Sequence, residues 1–121
     1  MSTSALPQVL EEVQKLIDSG EYYQIKSQTQ NQYTGRCYLG LVIEAGVELN
    51  LVDREESPDY ALLSLGINPA LKHYLWYLND SLGESYQSIH NLLLTLVQNR
   101  TEPTSFNFSD LELALNSNSS L

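Results

Sequence analysis

The stretch YLWYLNDSLGESYQSIHNLLLTLV, Tyr74 to Val97, decides the fold. It reads as the end of one helix, a tight turn and the start of a second helix. Ile89, Leu92, Leu93, Leu96 and Val97 recur at the i, i+3, i+4, i+7, i+8 spacing of a single helical face. Gln87, His90, Asn91, Thr95 and Gln98 fill the other face, so His90 is expected at the surface. Ser85 is placed as N-cap, its hydroxyl accepting from a first-turn N–H, and Gly83 supplies the bend.

Working back from that turn, Leu71, Tyr74, Leu75 and Leu78 form the inward stripe of the preceding helix, with Trp76 and Tyr77 toward its flanks. Asn68-Pro69 opens that helix, and Ser57-Pro58 opens a shorter one carrying Leu62, Leu63 and Leu65 and ending at Gly66. Between Asp53 and Glu56 lies a charged loop. Arg36 to Ala45 is apolar nearly all round, as a central buried helix is. Gly40 in its middle costs about 1 kcal/mol relative to Ala, which a close helix–helix approach would offset, and Gly46 is expected to end it. Val47 to Val52 either continues the helix or runs extended.

At the N-terminal end, residues 1–6 read as a short arm. Pro7 fits a first helical turn, and Val9, Leu10, Val13, Leu16 and Ile17 make one stripe. Glu11 and Glu12 suit the positive end of the helix dipole. Gly20 closes the helix. In residues 22–35, Tyr23, Ile25, Ser27 and Thr29 alternate with polar residues, as a short β-arm or a loop with a few bridged residues would. The sum is a mainly α, compact bundle of about five helices over residues 1–100. Residues 101–121 read as a flexible, acidic, Ser/Asn-rich tail, or as a short acidic-apolar motif that folds on a partner.

Fifteen acids against six bases give a net charge of −9. This argues against a nucleic-acid backbone or an anionic membrane as partner. The acidity serves solubility or covers a basic surface on another protein. Eight tyrosines, against two Phe and one Trp, suit half-buried helix edges and contact surfaces, because each brings apolar area with a polar tip. A single cysteine forbids an internal disulfide. No apolar run approaches the roughly 18 residues of a membrane span, and no basic opening segment precedes Lys15, so a cytoplasmic protein is expected.

Reaction chemistry is thin. Cys37 is the sole thiol, with His73 and His90 as the imidazoles and Asp80 or Asn79 to orient one of them. A cysteine-dependent hydrolase or transferase can be written from that set, but a packing cysteine on an apolar helix explains the same residue. Asp80 and Glu84 pair as carboxylates only on paper, and Asn79-Asp80 reads better as a helix end. No metal-ligand spacing, phosphate loop or nucleophile elbow is present, and no cofactor is implied. The favoured reading is a protein-interaction module with Tyr74, Trp76, Tyr77, Asp80 and Glu84 as candidate contact residues.

Three blocks carry a resemblance. They are Leu16-Ile17-Asp18-Ser19-Gly20-Glu21-Tyr22-Tyr23-Gln24, then Arg36-Cys37-Tyr38-Leu39-Gly40-Leu41-Val42, then Leu78-Asn79-Asp80 followed by Gly83-Glu84-Ser85-Tyr86-Gln87-Ser88-Ile89. Over residues 9 to 97 the chain resembles a family of small uncharacterised proteins of phages, prophages and bacterial genomes. Those have a Ser-Gly-Glu-Tyr helix end, a Cys-Cys-Leu-Gly-Val-Leu helix and a late Leu-Asn-Asp…Gly-x-Ser-Phe-x-Glu-Ile helix. Tyr38 stands where the family often has its second Cys, which removes a paired-thiol reading. Ser88 stands where it often has Glu, which leaves the capping box half made. The resemblance implies a compact helical domain and, by analogy, a modulator of a host or defence factor. It carries over no catalytic residue.

Overall fold

A computed structural model gives the fold and describes residues 5–98; the tail expected at 101–121 lies outside them. Five helices and one small parallel β-pair follow in the order α1 (Leu6–Ser19), β1 (Tyr23–Gln24), β2 (Gly35–Arg36), α2 (Tyr38–Glu48), α3 (Pro58–Ser64), α4 (Pro69–Asp80) and α5 (Tyr86–Gln98). The protein is mainly α with a short β element. No helix among the described residues is long and apolar enough to cross a membrane.

Helix α2 is the hub. It packs against α1, α3, α4 and β2, while α1 and α4 each also pack on α5. Tyr38, Leu39, Leu41, Val42 and Ala45 of α2 are all at or near zero exposure, and all but Leu41 share one core with Leu6, Val9 and Leu10 of α1, Leu71 and Leu78 of α4 and Ile89 and Leu93 of α5. Removing a buried leucine from such a core costs about 2–5 kcal/mol. Leu6, read from sequence as part of the leading arm, is the first residue of α1 and fully buried.

Helix starts follow their local signals. Ser57 Oγ accepts from the Tyr60 N–H at 3.4 Å and Asn68 Oδ1 from the Leu71 N–H at 2.8 Å, each ahead of a proline. Ser85 Oγ accepts from the Ser88 N–H at 3.2 Å, as expected of the α5 cap. Helix α1 ends at Gly20 with φ +70°. Its start at Leu6 puts Glu11 and Glu12 in the second turn rather than the first, away from the strongest field of the helix dipole.

Two expectations about α2 change. Gly46 does not end the helix, which runs on to Glu48. Asn50 adopts the left-handed conformation instead, with φ +60°, and the Asn50 N–H to Val47 C=O (3.0 Å) and Leu51 N–H to Gly46 C=O (2.8 Å) bonds close the end. Gly40 is approached not by a helix but by the 25–34 connection. A Cβ there would stand 1.9 Å from the Thr29 carbonyl oxygen.

That connection explains the β element. Tyr23 pairs with Gly35 and Gln24 with Arg36, in parallel, and Gln30 bridges Arg36 antiparallel. The ten residues 25–34 between the strands are fewer than a parallel crossover normally needs. Strands only two residues long make it feasible. Side chains far along the chain then hold the strap in place.

Candidate functional site

The sequence offered one catalytic set, and the structure does not assemble it. Cys37 caps the N-terminus of α2 at 3 % exposure. Burial raises its thiol pKa above the ordinary value, and the charge on Asp80 adds to this; the backbone N–H groups of Gly40 and Leu39 pull the other way and lose. A thiol in that state is a poor nucleophile. Among the described residues no imidazole hydrogen-bonds to it. His73 is on the exposed face of α4. His90, expected at the surface, is 1 % exposed and its Nδ1 shares a hydrogen bond of 2.8 Å with the Tyr38 hydroxyl. Burial holds the His90 pKa down, against a small opposing effect of Asp18, and pushes that of Tyr38 up, so both stay neutral.

Asn79 and Asp80 are tie points for the strap. Asn79 is 1 % exposed. Its Oδ1 accepts from Gln24 Nε2 (2.8 Å) and from the Tyr38 backbone N–H (3.1 Å), and its Nδ2 donates to the Ile25 carbonyl (2.8 Å) and to Asp80 Oδ1 (2.8 Å). All four hydrogen-bonding positions of the amide are used. Asp80 Oδ2 accepts from the Ser27 N–H at 2.8 Å, where Ser27 turns with φ +71°, and from the Trp76 indole N–H. The Asp80 carboxylate, a candidate contact group from sequence, thus already has three internal donors. Glu84 is half-buried and its carbonyl accepts from Gln24 Nε2 at 2.6 Å. No group of three or more His, Cys, Asp or Glu side chains that could hold a metal ion occurs among the described residues.

A second polar centre is built around Glu44. Glu44 of α2 is buried, and Arg54 grips it with both arms, Nη1 to Oε1 at 3.0 Å and Nη2 to Oε2 at 2.7 Å. Arg36 Nη2 adds a longer contact to Oε1 at 3.4 Å. These partners, the Arg54 hydrogen bond first, hold the Glu44 carboxyl below its usual range despite burial. Arg36 also donates to the Tyr33 and Gly35 carbonyls and lies 5.2 Å from the Tyr22 ring centre, yet its Nε has no hydrogen-bond partner. Sequence reading missed this cluster; a glutamate inside an apolar helix is the signal that would have found it.

Of the aromatic candidates, Trp76 (39 % exposed) and Tyr77 (46 %) stand on the outer face of α4, one turn beyond His73. Tyr74, also named as a contact residue, is 5 % exposed and belongs to the core; in α4 it shares the inward stripe with Leu71, Leu75 and Leu78. Trp76 walls an open groove of about 430 Å³ whose other sides are Leu39, Leu62, Pro58 and the strap residues Gln28 and Thr29. Lys72 and Asp59 pair across its rim at 2.7 Å.

The arrangement supplies contact area and charge rather than an activated nucleophile. Family models, curated proteins and solved structures provide no match to this chain.

Proposed function

We propose that this protein is a small interaction module that binds another protein through the Trp76 groove. One observation carries the reading: an indole stands half-exposed beside Leu39, Leu62 and Pro58 in a solvent-open hollow. Partly exposed aromatics next to apolar hollows are the usual anchors of protein interfaces. Tyr77 extends the same face of α4. Asp80 acts within the module, fixing the indole through its N–H. By analogy with the small phage and prophage proteins it resembles, its partner is sought among cytoplasmic host or defence factors. The alternative, a hydrolase or transferase using Cys37 with a histidine, would need the thiol freed from the core and lacks a supporting contact.

The test compares proteins captured from a bacterial lysate by the wild-type chain and by Trp76→Ala. A partner held by the first and lost by the second is expected. A partner retained equally by both removes the groove from the proposal. A thiol-dependent activity abolished by Cys37→Ala at unchanged stability replaces the proposal with the enzyme.

A further inference from the structure

The groove beside Trp76 does not stand alone. Thr29 and Pro58 line it and also line a second hollow of about 130 Å³, whose floor is Gly40, Ile43, Glu44 and Val47. Glu56 lines that second hollow and also a third of about 380 Å³, formed with Asn50, Leu51, Val52 and Asp53. Neighbours that share walls, the three hollows lie in a row, a furrow interrupted at its middle by the Arg54–Glu44 pair. Its floor follows α2 from Leu39 to the turn at Leu51, with the strap along part of one side and residues 53–58 along the other. The helical part of that floor, Leu39 to Glu48, rises about 14 Å, and the turn at Asn50 and Leu51 carries it further.

The two ends differ in chemistry. The Trp76 end is apolar, and its one acid, Asp59, is paired with Lys72. In the middle, Arg54 and Glu44 satisfy each other. The far end carries the exposed acids Asp53, Glu55 and Glu56, while the loop's only base, Arg54, is turned to Glu44. Among the described residues these three acids have no ion-pair partner, so negative charge is concentrated at one end of the furrow.

Resting on the interaction reading above, we infer that the furrow takes an extended peptide segment of about five or six residues, with an aromatic or aliphatic anchor at the Trp76 end and lysine or arginine at the Asp53–Glu56 end. The occupant follows from charge complementarity along the row: an apolar hollow at one end and exposed acids at the other. Extended segments lose less to ordering when a preformed trough and pockets for alternate side chains receive them.

Selection of a random decapeptide library on the full chain tests this, with the winning peptides measured by calorimetry against variants. The expected winners carry an apolar anchor and a basic residue about five positions apart. Trp76→Ala weakens them at least tenfold. The double charge reversal Asp53→Lys with Glu56→Lys, on an exposed loop, does the same, and higher salt weakens binding to the wild type. Winners that need Trp76 but lack basic residues and ignore the double reversal overturn this inference and leave the groove as the binding site. Winners indifferent to Trp76→Ala, or a selection that enriches nothing, overturn both. A thermal melt of each variant separates lost binding from lost fold.

Discussion

Two buried polar centres hold the strap and loops onto the helices, and they are built on opposite principles. At Asn79 a single neutral amide makes four hydrogen bonds and leaves nothing unpaired. At Glu44 three charged groups share the work, one buried arginine keeps an unpaired Nε, and the stronger partner, Arg54, is half in water. A neutral centre can be closed with backbone groups and two neighbouring side chains, here Gln24 and Asp80. A charged one carries a desolvation cost that only good geometry offsets. The first therefore fixes a local conformation, and the second ties the 53–58 loop to α2 with a bond that solvent can contest.

Breaking the charged centre from its buried side should have the larger effect. Glu44→Ala leaves the Arg36 guanidinium buried without a counter-charge and is expected to lower stability by about 3–5 kcal/mol, read from urea denaturation. A loss under about 1 kcal/mol would mean that Arg36 swings out to water. Next in size, Asn79→Ala strands the Tyr38 N–H and the Ile25 carbonyl, while Gln24 keeps its bond to the Glu84 carbonyl. About 2–3 kcal/mol should be lost, with faster hydrogen exchange across 23–31.

Gly40→Ala sharpens the comparison without touching either polar group. It pushes the strap off α2 at Thr29, and about 2 kcal/mol is expected from the forced shift. The Asn79 bonds should survive it if the strap pivots there. Arg54→Ala removes the exposed partner of Glu44. Screening by solvent limits its cost to about 1 kcal/mol, so its main signature is protease cleavage within 53–58.

The smallest effect is one of pH, at the Tyr38–His90 pair. Because burial depresses the His90 pKa, the unfolded chain takes up this proton first. The contribution is whole above the ordinary histidine value of about 6.5 and is lost as pH falls through the lower folded value. Glu44 is depressed too, so its contribution is lost only further down, below the ordinary carboxylate range. Stability measured between pH 7.5 and 5.5 should fall in the wild type and fall less in His90→Asn. Equal slopes would place the titration elsewhere.

The helices were legible because their punctuation is local. Ser57-Pro58, Asn68-Pro69 and Gly20 act within four residues of themselves. His90 shows how a polar residue misleads: on the wheel it sits only about 20° from Val97, so it borders the apolar stripe, and Tyr38 reaching from α2 closes the gap. The β-pair and strap were half legible, since alternation in 23–29 marks an extended chain but the groups that fix it, Asn79 and Asp80, lie some fifty residues on. Trp76 and Tyr77 followed from the 3.6-residue period of α4. The rest of the furrow did not, because its floor is a helix whose composition reads as wholly interior.

The ties at Asn79 also order events in time. Synthesis proceeds from the N-terminus, and the strap emerges long before the amide that anchors it. Before residue 79 is added, the strap has only its own β-pair, the Gln30–Arg36 bridge and the Cys37 N–H to Thr29 carbonyl bond. The strap's full set of ties is thus complete only after Asn79 and Asp80 have been made, when about two thirds of the sequence exists.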